Sequence, residues 1–399
     1  MSGEISNMRK TAIILSSIAL LLFLVETLSW LALMIRPTGN PLAYAFGDRE
    51  LLWFSNSENS GMPYKIKANH SGRFRSDEFS THVKTNNMGF REDQDFLGQR
   101  LDIAFVGDSF TMGHGVNIGF RYTDLLRKHF PDRNVMTLAP AAGHTTPHYY
   151  LYLKNNPELI PSVLVIGLFA SNDLRSDMGD VNLLENSRGE IIGTPSKSTK
   201  VSSYGGLVKK DGLDNYPIWK QVLRSFNAGR IFLLAHYKLE LMLASRRPSS
   251  ASNKPANDSN RADQELSRFD QGIFNETNLS ALDFVNRIND LVTKKGGRVI
   301  TLYIPYGYWV GDYASLCPYS ETVCRSILSR SDLGDAIGAS MKEYNIEFID
   351  PTREFRKAEE SGIDTYFAKD AHWTPAGHVV AADAVARRIK EKRLLPPAD

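Results

Sequence analysis

The sequence predicts an α/β protein in which helices cover a sheet of about five parallel strands. Short apolar segments alternate with helical ones over residues 101–169, and the alternation resumes over residues 269–392. Segment 162–169 is apolar after Ser162, as expected for a strand that is covered on both faces. Strands that alternate with helices typically form a parallel sheet flanked by helices. We therefore expect one large α/β domain over residues 99–395.

The individual elements follow from apolar periodicity and from the turn residues between them. Pro375 can begin the last helix, because proline is favoured at the first helical position. Region 174–261 interrupts the alternation and is predicted to be an insertion after the third strand. Its end, 246–261, is polar and rich in Ser, Asn and Pro, which favours a flexible loop. The predicted strands are 101–106, 134–138, 162–169, 298–304 and 346–349, and the predicted helices are 119–130, 147–154, 216–243, 269–295, 332–344 and 375–392.

An apolar segment, residues 11–35, lies near the N-terminus with Glu26 as its only charge. As a helix it would measure roughly 37 Å at about 1.5 Å per residue, enough to cross about 30 Å of hydrocarbon. Arg9 and Lys10 precede it, so the positive-inside rule keeps the N-terminus in the cytoplasm and sends the remainder across. We predict an uncleaved signal anchor. A cleaved signal peptide, for which the segment is long, and a buried soluble helix are the alternatives.

The next segment, residues 36–98, leads into the α/β domain. It contains several Gly, Asn and Ser residues and short extended pieces such as 64–67. These features indicate an irregular, partly β-structured segment.

Composition excludes several functional classes. The formal net charge of +2 offers no concentrated basic surface, so we expect no nucleic-acid partner. The sequence has no Walker loop and no dinucleotide-binding fingerprint, and we expect no cofactor. Cys317 and Cys324 are the only cysteines, too few for a four-ligand zinc site. In an oxidising compartment these two could pair, and two unpaired thiols are the alternative.

A serine follows the first predicted strand, in the sequence VGDSFT (106–111). The Ser109 hydroxyl is therefore expected at the carboxyl edge of the sheet, where open α/β sheets bind ligands. Gly107 permits a sharp turn, and Asp108 can cap the turn that follows. An ordinary turn uses the same residue types, so the motif needs support from elsewhere in the chain.

That support comes from two further strand ends and from the C-terminal region. Gly143 follows the second predicted strand and Asn172 follows the third. A glycine amide and an asparagine side chain in these places could donate to a developing oxyanion. The later sequence DAHW supplies His372 and, two residues before it, Asp370. With Ser109 these residues provide a nucleophile, a base and an orienting acid, as serine acyl-transfer chemistry requires.

The four blocks, in this order, resemble the motifs of the SGNH/GDSL hydrolase family over roughly residues 85–395. The sequence NNMGFR (86–91) is similar to the lead-in of membrane-anchored bacterial members. The resemblance implies a flavodoxin-like three-layer α/β/α fold, and ester hydrolysis or acyl transfer through an acyl-serine intermediate. The residues that it implies are Ser109 as nucleophile, His372 as base, Asp370 as its acid partner, and Ser109, Gly143 and Asn172 as the oxyanion hole.

The last block departs from the family pattern. Typical members carry Asp-x-x-His, whereas this chain carries Asp-x-His followed by Trp373. The Asp-x-His-Trp form is similar to that of acetyltransferases of exported polysaccharides, including the alginate system. The shorter spacing keeps His372 as the base, and it leaves Asp364 as an alternative to Asp370.

Three histidines, His114, His144 and His148, lie in loops near the same edge of the predicted sheet. Together with Asp108 or Asp173 they could form a metal site. No HxH or HExxH spacing supports one, and catalytic zinc usually has three well-placed protein ligands. We therefore expect no metal.

The resemblance leaves three functions open. The first, which we predict, is a serine esterase that acts on O-acyl esters, chiefly O-acetyl esters, of cell-envelope or exported polysaccharide. The second is a polysaccharide O-acetyltransferase that uses the same residues beside a membrane protein that exports acyl groups. The third is a non-catalytic glycan-binding protein. Expected partners are an acylated carbohydrate or another small ester, and the membrane.

The same interpretation assigns the domains and the location. The catalytic domain is expected outside the cytoplasm, in the periplasm or at the cell surface, as part of a single-pass membrane protein. The predicted organisation is a cytoplasmic tail (1–10), a transmembrane signal anchor (11–35), a lead-in segment (36–98) and an SGNH hydrolase-like domain (99–395) with an insertion at about 174–261.

Overall fold

The fold was taken from a computed structural model of the chain. The chain forms two compact units, one of residues 1–47, 75–77 and 211–254, and one of residues 48–74, 78–210 and 255–399. The predicted helix 216–243 and the polar stretch 246–261 lie outside the described residues. The residues that the structure describes are 2–35, 52–53, 65–66, 68–75, 78–139, 144–169, 173, 184–185, 191–193, 276–313, 323–324 and 332–397.

Helix α1, Ser2–Ile35, makes up most of what is described of the first unit. Its side chains are described for residues 13–29, and large apolar ones such as Leu21 and Phe23 are exposed. Among the described residues, no helix has both the length and the apolar character that crossing a membrane requires. The membrane-spanning segment predicted for residues 11–35 is therefore not confirmed.

The second unit is built on strands and helices that alternate along the chain. The strands are β1 (Leu52–Trp53), β2 (Lys65–Ile66), β3 (Ser71–Arg75), β4 (Ser80–Lys84), β5 (Ile103–Val106), β6 (Val135–Thr137), β7 (Val163–Phe169), β8 (Leu184–Glu185), β9 (Ile191–Gly193), β10 (Arg298–Ile304) and β11 (Glu347–Ile349). The helices are α2 (Ser109–Met112), α3 (Tyr122–His129), α4 (Thr146–Asn155), α5 (Glu276–Thr293), α6 (Asp332–Glu343), α7 (Thr352–Glu360) and α8 (Pro375–Glu391).

In the described part of the chain, five parallel strands form the central sheet in the order β11-β10-β7-β5-β6, which confirms the predicted α/β fold. If the five strands are renumbered 1 to 5 along the chain and the sheet is read from β6, the order is 2-1-3-4-5, that of flavodoxin-like folds. In the register, Val106 of β5 lies beside Ile166 of β7, and Phe105 lies beside Thr137 of β6. The topological switch point between β5 and β7 is where such sheets bind ligands, and Ser109 follows β5 directly.

Helices pack against this sheet in pairs, α3 with α8 and α4 with α5. Strands β5 and β7 are buried along almost their whole length, as both-face coverage requires. Beneath the carboxyl edge, Trp373 is fully buried and packs against Phe110 and Phe355, with ring centroids 5.1 and 5.2 Å apart. Trp373 is therefore a core residue that fixes the chain directly after His372.

Buried charges hold the end of the predicted lead-in segment in place within the second unit. The Arg91 guanidinium, almost completely buried, donates to the carbonyls of Gly113 and Val116, the latter at 2.5 Å. Glu92 is fully buried and lies 3.5 Å from the Arg121 guanidinium. A buried charge is stable only when it is paired and hydrogen-bonded, so these contacts hold the segment against the loop that follows α2.

Candidate active site

Ser109 is the first residue of α2, which begins directly after β5. A Cβ at Gly107 would collide with the side chain of Thr111, so this tight turn requires glycine. The buried Asp108 caps the helix, because its carboxylate accepts a hydrogen bond from the Phe110 amide at 2.9 Å. The predicted turn residues thus place the Ser109 hydroxyl at the carboxyl edge of the sheet.

The structure brings Ser109, His372 and Asp370 into one line of hydrogen bonds. Nε2 of His372 lies 2.6 Å from Oγ of Ser109, and Nδ1 lies 2.5 Å from Oδ1 of Asp370. The His372 backbone amide also donates to that oxygen, at 3.2 Å. With Nδ1–H donated to the carboxylate, Nε2 carries the lone pair that can accept the serine proton. Asp364 is exposed, and Asp370 is the carboxylate placed against His372.

Two residues from other parts of the chain contact Asp370. Nε2 of His114 lies 3.3 Å from Oδ2 of Asp370, and the His114 ring lies 4.2 Å from that of His372. The Glu78 carboxylate accepts hydrogen bonds from the amides of Lys369 and Asp370, at 2.9 and 2.7 Å. Both Asp370 oxygens therefore face an imidazole, and the loop that carries Asp370 is held by the lead-in segment.

Sequence reasoning did not assign these roles to Glu78 or His114. His114 follows Ser109 by five residues, and its sequence setting suggests only a metal ligand, while no motif surrounds Glu78. A local motif does not show contacts between residues that are 256 and 292 positions apart in the chain.

Charge states in the site follow from burial and hydrogen bonding. Burial alone would raise the pKa of Asp370, but hydrogen bonds from His114 and His372 outweigh it and lower that pKa below its usual range. Burial, with a contribution from His372, lowers the pKa of His114 to about 4. At neutral pH Asp370 is therefore ionised and His114 is a neutral imidazole that can donate to it.

Acid is expected to destabilise the protein before its carboxylates titrate. Burial lowers the pKa of His114 and of His148 to about 4, and that of His378 to about 3. In the unfolded chain these histidines take up protons near pH 6.5. Between about pH 6.5 and pH 4 the unfolded state thus binds more protons, so the free energy of unfolding falls as the pH falls. Each histidine contributes at most about 1.4 kcal/mol per pH unit.

Denaturant unfolding of the full-length chain at pH 7.5, 6 and 5 measures this dependence. A His378→Asn variant retains an acceptor for the Tyr122 amide, because its Oδ1 can take the place of Nδ1, which accepts from that amide at 3.1 Å. The free energy of unfolding of this variant should depend less steeply on pH, by about one proton. Equal stability of the native chain at the three pH values would contradict the assignment of buried neutral histidines.

The other two predicted oxyanion donors, Gly143 and Asn172, lie outside the described residues. Their neighbours His144 and Asp173 are described and are almost completely buried. They follow β6 and β7, the two strands that pair with β5 on either side. Both loops therefore leave the sheet at the edge where Ser109 lies, and the donor roles of Gly143 and Asn172 stay predictions.

Among the residues that the structure describes, those around Asp370 are best placed to hold a metal. His114, Asp370 and His372 offer ligand atoms within 4.8 Å of one another. Ligand atoms that each lie about 2.0–2.1 Å from a tetrahedral zinc are separated by more than about 3 Å. The 2.5 Å between Asp370 and His372 is instead the length of a short charge-assisted hydrogen bond. Of the other two candidate histidines, His148 closes a capping box with Thr145, and the His144 ring lies 5.0 Å from it.

One family matches the C-terminal part of the chain. Residues 282–398 match the family described as SGNH hydrolase-like domain, acetyltransferase AlgX. The matched span includes Asp370 and His372, and it contains β10, β11 and α8. The resemblance to SGNH hydrolases predicted from the motifs is thereby confirmed. So is the prediction of an enzyme that hydrolyses ester-linked acyl groups or transfers them.

Several solved structures are similar to the chain at low identity. An alpha/beta hydrolase enzyme from the metagenome of Lake Arreo, Spain, is 15% identical over 76% of this chain and 100% of its own, with a TM-score of 0.33. A catalytic mutant of an acetylxylan esterase from Geobacillus stearothermophilus is 13% identical over 73% and 95%, with a TM-score of 0.35. A GDSL-like lipase from Bacteroides thetaiotaomicron is 11% identical over 73% and 88%, with a TM-score of 0.32. No curated protein matches the sequence.

Proposed function

We propose that the protein is a serine esterase that removes O-acetyl groups from a cell-envelope or exported polysaccharide outside the cytoplasm. The observation that carries this proposal is the hydrogen-bonded line from Ser109 through His372 to Asp370, with separations of 2.6 and 2.5 Å. The acetyl group is favoured because the matching family is described as an acetyltransferase. The polysaccharide is favoured by the resemblance of the Asp-x-His-Trp block.

In the proposed mechanism, the Ser109 oxygen attacks the ester carbonyl while His372 takes the serine proton at Nε2. Asp370 stabilises the imidazolium that forms. The amide of the Ser109 turn, with Gly143 and Asn172 as predicted, donates to the negatively charged oxygen of the tetrahedral intermediate. His372 then gives its proton to the sugar oxygen that leaves, and acetyl-serine remains. Water, deprotonated by His372, attacks the acetyl carbonyl. The bond between that carbon and the Ser109 oxygen then breaks as His372 returns the proton to the serine, and acetate leaves.

Two observations support a location outside the cytoplasm. Cys324 is disulfide-bonded, and disulfides persist in oxidising compartments. The apolar segment 11–35 follows Arg9 and Lys10, the arrangement of a signal anchor whose N-terminus stays in the cytoplasm. We infer that this segment attaches the enzyme to the membrane.

The second candidate is an O-acetyltransferase, favoured by the description of the matching family. It would use the same acetyl-serine and a sugar hydroxyl in place of water. The chemistry up to acetyl-serine is identical, so the outcome depends on which acceptor reaches the intermediate. A membrane protein that exports acyl groups would be its partner.

The deciding experiment supplies the purified full-length enzyme with p-nitrophenyl acetate, with and without a xylo- or manno-oligosaccharide acceptor. Free acetate and acetylated sugar are quantified by mass spectrometry, with Ser109→Ala as the matched control. Acetate in excess, together with deacetylation of an O-acetylated oligosaccharide, supports the esterase. Acetylated sugar in excess supports the transferase. Turnover that Ser109→Ala leaves unchanged would contradict the esterase and the transferase alike. Equal glycan binding by the native protein and Ser109→Ala would then favour a binding protein.

A further inference from the structure

A tyrosine connects the two loops that carry the predicted oxyanion donors. Tyr149, on α4, is buried, and its hydroxyl oxygen lies 2.8 Å from the backbone carbonyl oxygen of His144. The same hydroxyl lies 2.9 Å from Oδ1 of Asp173. His144 follows Gly143 and Asp173 follows Asn172 in the sequence. One phenol thus contacts the neighbour of each donor.

The Tyr149 hydroxyl has two short contacts with oxygen atoms but only one proton. A tyrosine hydroxyl has one proton to donate, whereas a backbone carbonyl only accepts. If Tyr149 donates to His144, its second short contact is a full hydrogen bond only when Asp173 supplies the proton. The other Asp173 oxygen, Oδ2, accepts from the Phe169 amide at 2.8 Å. A protonated Asp173 therefore uses one oxygen as a donor and the other as an acceptor.

We propose that Asp173 is a neutral carboxylic acid, and that the chain of hydrogen bonds Asp173–Tyr149–His144 fixes the two residues that directly follow the predicted oxyanion donors. We call these three residues the relay. The inference rests on the proposed function, because it gives the relay a role in positioning the donors for that reaction. The relay residues touch no reacting atom, so they are positioning residues.

The surroundings of Asp173 favour its neutral form. The residue is 1% exposed, and the charged group that acts on it most strongly is Asp108, which is equally buried. Burial, reinforced by the negative charge of Asp108, raises the pKa of Asp173 well above its usual range. Two carboxylates in one buried site do not both ionise without a strong cost.

The test compares Asp173→Asn, Asp173→Leu and Tyr149→Phe in the full-length enzyme, with acetyl-ester kinetics and a thermal melt for each. An asparagine amide can replace a neutral acid, because it donates from nitrogen and accepts at oxygen. Asp173→Asn should therefore restore the kcat that Asp173→Leu loses. Tyr149→Phe should lower kcat by roughly 10-fold to 100-fold with little change in KM, because misplaced catalytic groups cost about this much.

Tyr152→Phe is the matched control, since Tyr152 lies on the same helix and packs edge-on against Phe90, 5.4 Å away. Its kcat should equal that of the native enzyme. If Asp173→Asn lost as much kcat as Asp173→Leu, the assignment of Asp173 as a neutral acid would be overturned. If Tyr149→Phe kept the native kcat, the positioning role of Tyr149 would be overturned.

A second readout does not depend on activity. The infrared difference spectrum between the native chain and Asp173→Asn at neutral pH should contain the carbonyl stretch of a protonated carboxylic acid. A carboxylate band in its place would overturn the proposal even in an inactive protein. If the acid band is present and no Ser109-dependent turnover is found, the proposed function has failed while the neutral acid stands.

Discussion

Replacing Ser109 by alanine is expected to lower kcat on acetyl esters by roughly 10⁴-fold to 10⁶-fold, the loss typical of a missing serine nucleophile. The substitution removes one oxygen that lies 2.6 Å from His372 and leaves Asp108 and Gly107 to form the turn. KM should therefore change little. The residual rate would come from oxyanion stabilisation and substrate binding alone.

Steady-state kinetics of native enzyme and variant measure this loss. Ser361→Ala is a suitable control, because Ser361 is exposed and its hydroxyl donates only locally, to the Lys357 carbonyl at 2.8 Å. A fluorophosphonate that labels serine nucleophiles should modify the native chain at Ser109 and fail to modify Ser109→Ala. Labelling elsewhere, with activity retained in the variant, would show that another residue is the nucleophile.

The strands could be predicted from the sequence because burial on both faces leaves a plain apolar pattern. Strand β10, Arg298–Ile304, was predicted with both ends correct, and β7, Val163–Phe169, to within one residue. Helix α7, Thr352–Glu360, was not predicted. Its sequence is mostly charged and buries only Thr352 and Phe355, so apolar periodicity is too weak to reveal it.

The residues of the site fall into two similar groups: those that a local motif reveals and those that only the tertiary fold brings into the site. Ser109, Asp370 and His372 could be predicted because each lies in a short motif whose backbone setting is local. Glu78 and His114 complete the surroundings of Asp370 only through the tertiary fold. The parallel sheet supplies the connection, because its strands end at one edge and carry distant loops to the same place.

Replacing Asp370 by asparagine is expected to lower kcat by roughly 10³-fold to 10⁴-fold, because the acid holds the histidine in its reactive tautomer. In this protein the effect has a second cause. The carboxylate accepts from two imidazoles, His372 at 2.5 Å and His114 at 3.3 Å. Asparagine has one oxygen, so its NH₂ group must face one of the two ring N–H groups. Either His372 turns to the wrong tautomer, or the contact with His114 is lost.

The matched control is Asp364→Asn, because Asp364 is the other carboxylate near His372 in the sequence. Its side chain is exposed, while its backbone carbonyl accepts from the Thr374 hydroxyl at 2.7 Å, a contact that the substitution keeps. Asp364→Asn should therefore retain native kcat. The reverse result, a large loss of kcat in Asp364→Asn and none in Asp370→Asn, would mean that the loop rearranges in solution.

The family spacing Asp-x-x-His would not account for that reverse result, since Asp364 lies farther from His372 in the sequence than that pattern allows. A loss confined to Asp370→Asn would instead establish that an acid separated from the histidine by a single residue can orient the base.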